Sequence, residues 1–465
     1  MTRRVTFLSA ESLRQRYAAG DLSPAKVTRK VLERVDRVNP SLNAFGPIYR
    51  DAAQQDAGAS TERWRQGQPL SPLDGVPVSI KDIVAMKGTV TRSGSLTTDP
   101  ELAAPEDCPA VARLREAGAI LFGKTHTPEF GWKGMTDSPL HGTTRNPWNP
   151  EHSPGGSSGG AGAALAAGIG PLALGTDAGG SIRIPASYCG LFGIKPTFGR
   201  VPHTPNDSPY CTLSSTGPLA YTVRDAARML TVVSQWDHRD WYACAPQEID
   251  FEHGLDNGVR GLRIAYSPGL GGAVAMPGVI KLVDQAVHRF ESLGATVEEV
   301  GPLIDPLRPV FEDYWKAGFA YILRGIPEQK RELLDRGFRM LAEEGLEVGI
   351  EAYYAAQVAR ARLGVTMAAF HQDYDLLVTP TMPTTAPRAD VVYHSSAFDR
   401  WEHAVPYTVP FNLTGQPAAS IPVGLDDGLP VGMQIVAGRF RERAVLQAAQ
   451  AYETEVVSGL APIVD

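Results

Sequence analysis

The stretch PAVARLREAGAILFGKT, residues 109–125, decides the fold. It reads as a helix, a stop at Gly118, and an apolar strand from Ala119 to Phe122, because glycine readily takes the backbone conformation that ends helices. The same unit recurs downstream. GLRIAYSPG (261–269) is a strand, VIKLVDQAVHRFESLGATVEEV (279–300) is a helix broken at Gly294, and a further strand follows. Upstream, SPAKVTRKVLERVDRV (23–38) offers Ser23 as an N-cap and Pro24 at the first helical position, with Val27, Val31, Val35 and Val38 near helical spacing. DGVPVSIKDIV (74–84) alternates Val76, Val78 and Ile80 against Pro77, Ser79 and Lys81, the period of a strand. Alternating helices and strands predict a layered α/β fold.

Between about residues 309 and 373 the pattern becomes helical and aromatic, as in EDYWKAGFAYILRGIPEQKRELLDRGF (312–338), which suits a cap over a site. DLLVTPTMPTTAP (375–387) then returns to strand and loop. No low-complexity linker or internal repeat divides the 465 residues, so one large domain, 1–465, is expected. The net charge of −7, from 44 basic and 51 acidic residues interspersed, suggests neither a nucleic-acid track nor a membrane surface, and points to a small-molecule partner. Cys108, Cys189, Cys211 and Cys244 form no CxxC pair or metal-finger spacing and read as free thiols of a reducing compartment. The apolar patch after Arg3 and Arg4 is too short for a secretory signal, and no stretch reaches membrane-spanning length. A cytoplasmic enzyme is expected, and a homodimer is its common assembly.

The chemistry concentrates in two glycine-rich stretches. SPGGSSGGAGAALAAG (153–168) puts Ser157 and Ser158 where a helix N-terminus presents unpaired N–H groups. The stretch lacks the GKS or GKT of a phosphate loop and the setting of a dinucleotide fingerprint. Residues 155–159 match GxSxG, but the preceding NPWNPEHSP (146–154) is proline-broken and cannot be the strand that a nucleophile elbow requires. In GTDAGGS (175–181), Gly179 and Gly180 can turn backbone N–H groups toward a point near the Ser181 hydroxyl. Such a nest serves an oxyanion. A serine nucleophile needs a base, and no histidine stands nearby in sequence. Lys81, at the end of a strand, becomes a candidate if burial lowers its pKa.

The combination of GGSSGG, GTDAGGSIRIPASYCGLFGIKPTFGRV (175–201) and the upstream PVSIKD (77–82) resembles the amidase signature family from about residue 70 to 230. Weaker similarity, including TPTMPTTAP (379–387) and FNLTGQPAASIPVG (411–424), extends over nearly the whole chain. The resemblance implies a large central mixed twisted sheet with helices on both faces, and a Ser-Ser-Lys triad that needs no cofactor or metal. It carries over to Ser181 as nucleophile, Ser157 as bridging serine after a cis Gly156–Ser157 peptide, and Lys81 as base. Ala178, Gly179, Gly180 and Ser181 would hold the oxyanion through their N–H groups. Gly156, Ser158, Thr176, Asp177 and Arg183 would support the loop. Lowering the lysine pKa from about 10.4 toward 7 or 8 is worth roughly 3 to 5 kcal/mol, which enclosure must supply.

In EFGWKGMTDSPLHG (129–142), Gly131, Trp132 and Met135 resemble the family's substrate-facing loop. His126, His141 and His152 read as loop or packing histidines, and the ten histidines show no metal-binding HxxxH pairing. Tyr314, Trp315, Tyr353 and Tyr354 divide between core packing and pocket lining. An aromatic, weakly charged pocket would suit neutral aryl amides, anilides or carbamates. Three readings stand beside one another. A stand-alone amide hydrolase leads. The glutaminase component of a tRNA-dependent amidotransferase is the alternative, although such members usually carry an SSLDQIGP-like stretch where this chain has LSSTGP (213–218). A binding module or a Ser-His-Asp esterase would keep any activity after Lys81→Ala.

Overall fold

The computed structural model describes residues 5–204, 210–305, 307–391 and 404–456, apart from the side chains of Cys211 and Arg308. The described residues form thirteen strands: β1 Phe45–Ile48, β2 Pro77–Lys81, β3 Ile120–Thr125, β4 Asp137–Ser138, β5 Gly142–Thr143, β6 Leu172–Asp177, β7 Phe192–Lys195, β8 Ser215–Ala220, β9 Arg263–Tyr266, β10 Thr296–Glu299, β11 Leu376–Pro380, β12 Ala418–Asp426 and β13 Leu429–Ala437. Eleven of them make one mixed sheet in the order β1-β3-β2-β6-β8-β7-β12-β13-β11-β9-β10, while β4 and β5 pair separately. Strand β2 runs parallel to both β3 and β6, whereas β6 and β8 are antiparallel.

The sequence units form as read. Ser23 accepts from the Lys26 N–H at 3.3 Å and caps the helix Pro24–Leu42, whose valines at 27, 31, 35 and 38 are buried. The helix Pro109–Glu116 ends before Gly118, which takes φ of 82°, and β3 follows. Strand β3 runs to Thr125 rather than stopping at Phe122, its last residues pairing with Ile80 and Lys81 of β2 and Phe45 of β1, while Lys124 Nζ donates to the Val84 carbonyl at 2.5 Å inside the fold. The alternation in β2 does not divide core from water, since all five residues are buried. Instead it divides two covered faces, as expected of a strand with parallel neighbours and helices on both sides. Val76, Val78 and Ile80 join the larger apolar core, and Lys81 points to the other side, onto Ser157.

The region from 309 to 373 is helical, as its pattern predicts: Arg308–Gly325, Arg336–Gly345 and Ile350–Asp373. Aromatic contacts hold it to the rest, with Tyr210 stacked on Trp315 at 4.5 Å and Phe130 against Phe338 at 5.3 Å between ring centroids. Tyr314 and Trp315 are therefore packing residues, while Tyr354 is exposed. Cys108 and Cys189 are buried free thiols and Cys244 is half-buried. Among the described residues no helix is long and apolar enough to cross a membrane.

Gly345 marks where two helices of this region touch. A Cβ there would lie 2.0 Å from the Lys316 carbonyl oxygen of helix Arg308–Gly325. Gly345→Ala must therefore push that helix away, and overpacking of this kind costs about 1 to 3 kcal/mol. The expected result is a lower thermal unfolding midpoint with reduced activity, because the displaced helix carries Ile322 into the cavity described below.

Candidate active site

The parallel pairing of β2 and β6 sets Ile80 beside Leu174, so Lys81 and the Thr176–Asp177 end of β6 emerge together at the carboxyl edge of the sheet. In open α/β sheets this edge is where ligands bind. The helix Gly159–Ala166 delivers the third element, with Ser157 and Ser158 immediately before it. Its glycines let it approach: a Cβ on Gly160 would sit 2.5 Å from the His126 backbone nitrogen and 2.6 Å from the Ala44 oxygen. No strand leads into residues 155–158, so the GxSxG match is not an elbow. The serines do not cap the helix either. Thr136 Oγ1 accepts from the Gly159 N–H at 3.1 Å and donates to the Gly155 carbonyl at 2.8 Å.

Lys81 Nζ donates to Ser157 Oγ at 2.7 Å and to Thr176 Oγ1 at 2.9 Å, and the side chain is fully buried. Burial pushes its pKa from 10.5 down to about 7, against the opposing pull of the Asp177 carboxylate. A lysine in that range is neutral in a large fraction of molecules near pH 7 and can accept a proton. The Gly156–Ser157 peptide is cis. Ser158 Oγ donates to the Thr176 carbonyl at 3.3 Å, and its N–H donates to the Ser181 carbonyl at 3.1 Å, tying the two glycine-rich stretches together.

Asp177 organises the loop that follows. Its carboxylate accepts from the N–H groups of Gly180 at 2.7 Å and Ile182 at 3.1 Å, and pairs with Arg183 Nε and Nη2 at 3.0 and 2.9 Å. The Arg183 guanidinium keeps this acid well below the usual carboxylate range despite full burial. All five donors of Arg183 are placed, since Nη1 also reaches the Thr408 carbonyl and Gln434 Oε1, and Nη2 reaches Asn412 Oδ1. One expectation is corrected here. The Gly180 N–H is bonded to Asp177 and is not available to an oxyanion, because an amide has one hydrogen. Among the described residues no partner occupies the N–H of Ala178, Gly179 or Ser181.

Ser157, Thr176, Ala178 and Ser181 line one cavity of about 260 Å³ together with Gly131, Phe130, Ile83 and Ile322. A Cβ on Gly131 would lie 3.1 Å from Ser157 Oγ, and φ there is +74°. Trp132 and Met135, expected to face the substrate, do not line this cavity. The left-handed conformation of Phe130 and Gly131 swings the chain so that Trp132 is buried, its carbonyl accepting from Trp315 Nε1 at 3.0 Å. Met135 backbone atoms stand within 2.7 Å of where a Gly156 Cβ would be, so its role is to hold that turn. Sequence reasoning missed Phe130, Ile83, His203, Tyr210 and Ile322. Ile83 and Phe130 adjoin residues already singled out, whereas His203, Tyr210 and Ile322 reach the cavity only through tertiary packing. His126 and His152 bond backbone carbonyls at 3.0 and 2.7 Å, and His141 stacks on His126. Among the described residues no group of three His, Cys, Asp or Glu side chains is arranged to hold a metal.

Known proteins share this outline. The family model described as amidase matches residues 26–446. An acylamidase of Rhodococcus erythropolis is 36% identical over 455 residues, spanning 96% of this chain and 95% of that protein. A glutamyl-tRNA(Gln) amidotransferase component from Chloroflexus aggregans is 34% identical over 96% of both chains. Among solved structures, a bacterial aryl acylamidase described as an amidase signature enzyme superposes with a TM-score of 0.89 at 30% identity, covering 97% of this chain and 96% of the other.

The buried lysine carries a stability signature of its own. Its folded pKa lies below the unfolded value, so the unfolded state binds more protons between about 7 and 10.5, and stability rises with pH across that window. Lys81→Met lacks this dependence. Chemical denaturation should find Lys81→Met at least as stable as the wild type at pH 7, with the wild type gaining on it as pH approaches 10.

Proposed function

This chain belongs to the amidase signature family and hydrolyses carbon–nitrogen bonds of amides, and we propose that it does so through an acyl-enzyme on Ser181. The observation that carries the proposal is the 2.7 Å hydrogen bond from a fully buried Lys81 to Ser157, on the wall of the cavity that also receives Ser181. Ser181 Oγ attacks the carbonyl carbon while its proton passes to Ser157 Oγ, whose own proton moves to neutral Lys81 Nζ. The N–H groups of Ala178, Gly179 and Ser181 meet the oxyanion. Collapse of the tetrahedral intermediate breaks the C–N bond, and the proton held on Lys81 returns through Ser157 to the leaving nitrogen. Water then repeats the sequence on the ester and releases the acid.

The substrate reading rests on the cavity wall. Ile83, Ala85, Phe130, Tyr210 and Ile322 are apolar or aromatic, and no Asp, Glu, Lys or Arg stands among the described lining residues. Uncharged amides with an aryl or alkyl body suit such a wall, and anilides and carbamates present the same carbonyl. The similarity to the acylamidase and the aryl acylamidase supports this choice. The amidotransferase component is nearly as similar in sequence, so a glutaminase is the second reading. Against it stand LSSTGP at 213–218 and the absence, among the described lining residues, of a charged partner for the α-ammonium and α-carboxylate of free glutamine.

A hydrolysis panel of 4-nitroacetanilide, benzamide, an aryl carbamate and glutamine tests both readings. The neutral amides are expected to be cleaved and glutamine ignored, with Ser181→Ala and Lys81→Ala folded but reduced by at least about 1,000-fold in kcat. For the wild type, kcat/KM should rise with pH through an ionisation near 7, since the base must be neutral to act. Hydrolysis of glutamine in preference to anilides would favour the second reading.

A further inference from the structure

The nest that faces the substrate carbonyl contains one peptide unit whose two polar groups are both held. The Gly180 N–H donates to Asp177 Oδ1 at 2.7 Å, and the Gly179 carbonyl, in the same peptide plane, accepts from Thr408 Oγ1 at 2.7 Å. Thr408 comes from a segment 229 residues further along the chain and is fully buried. Its hydroxyl has a single hydrogen. The Val405 carbonyl, at 3.4 Å, is the weaker of its two acceptors, so the bond goes to Gly179.

This plane divides the nest. Gly179, whose N–H is unoccupied, precedes it, and Ser181, carrying both an unoccupied N–H and the nucleophile, follows one residue later. Gly180 adopts φ of +127°, which only glycine takes readily, and a Cβ there would lie 2.5 Å from Thr408 Oγ1. Two glycines in succession have little conformational preference of their own. Without an external hold, rotation of this plane would swing the Gly179 N–H and Ser181 out of register. Asp177 fixes one end of the plane from within the loop, and the other end depends on Thr408.

Thr408 is itself fixed. Its carbonyl accepts from Arg183 Nη1 at 2.9 Å, and the preceding carbonyl, of Tyr407, accepts from Gln434 Nε2 at 2.8 Å. Asn412, one helical turn on, donates to the Asp177 carbonyl at 3.0 Å and to its Oδ1 at 2.9 Å. The short helix Val409–Leu413 and the residue before it therefore form a rigid back wall to the nucleophile loop.

We propose that Thr408 is a positioning residue for the amide hydrolysis, its hydroxyl orienting the Gly179–Gly180 peptide so that the neighbouring N–H groups converge on the substrate carbonyl. The inference rests on the acyl-enzyme reading above. It predicts an effect on the transition state with little effect on ground-state binding, because Thr408 touches the loop and not the substrate.

Thr408→Val removes the hydroxyl and keeps the shape, and Thr408→Ser restores a donor. With 4-nitroacetanilide as substrate, Thr408→Val should lose about 10- to 100-fold in kcat with KM within about 3-fold of wild type, a smaller loss than deletion of an oxyanion donor. Phenylboronic acid, which forms a tetrahedral adduct with a serine, should bind more weakly by the same factor. Thr408→Ser should recover to within about 3-fold. If valine disturbs folding by circular dichroism, Thr408→Ala gives the same comparison without a branched methyl. Wild-type kcat and boronate affinity in a hydroxyl-free variant would overturn the inference, as would a folded Thr408→Ser no better than Thr408→Val. Ser181→Ala, assayed alongside, separates the two levels of the argument. Residual full activity there would sink the acyl-enzyme reading, whereas a dead Ser181→Ala beside a fully active Thr408→Val would sink only the role of Thr408.

Discussion

The structure is organised around the removal of one ammonium group from water. An isolated cation buried in a protein interior is so unfavourable that it loses its proton or finds a carboxylate. Lys81 has only hydroxyl and carbonyl oxygens in direct contact, from Ser157 and Thr176. The nearest organised carboxylate, Asp177, is fully committed to Arg183, to Asn412 and to loop amides. That commitment leaves Lys81 free to be neutral. The same Asp177 shapes the loop carrying Ser181, and although its charge pulls the Lys81 pKa upward, burial prevails.

This arrangement explains why the site needs contributions from so much of the chain. Lys81 comes from β2, Ser157 from the turn before the helix Gly159–Ala166, and Ser181 from the loop after β6. Arg183 has five donors to satisfy in a water-free place, and only two can go to Asp177 without leaving the rest orphaned. Thr408, Asn412 and Gln434, all from the C-terminal part of the sheet region, supply the remaining acceptors. Thr408 does so with its backbone carbonyl, whereas truncating the Asn412 or Gln434 side chain would leave a buried charged donor unpaired, which is costlier than the bond itself. The rigidity of the nucleophile loop thus follows from the chemistry of burying an arginine.

Much of this was legible in the sequence, and the gaps have physical causes. Helix starts such as Ser23-Pro24 and stops such as Gly118 are local, so they read correctly. The β2 pattern gave the strand but not its setting, because alternation looks the same whether the second face meets water or a helix. The glycines of 179–180 signalled a nest, yet which N–H points inward depends on Asp177 and Thr408, and the latter lies more than 200 residues away. Trp132 and Met135 were misread because the left-handed turn at Phe130 and Gly131 is not visible in residue types alone: phenylalanine seldom takes that conformation. The cavity wall was the least legible part, since Ile322 and His203 belong to segments with no motif of their own.

The central claim is that Lys81 is a neutral base at working pH. It is tested most directly by titrating the lysine itself, with 13C label at Cε and its chemical shift followed by NMR from pH 5 to 11, assigned through Lys81→Met. The account predicts a midpoint near 7; the equally buried Lys195 is also held at about 7, and burial lowers Lys124 as well. A midpoint above 9 for Lys81 would mean that the group stays charged during turnover, and the proton relay through Ser157 would have to be abandoned.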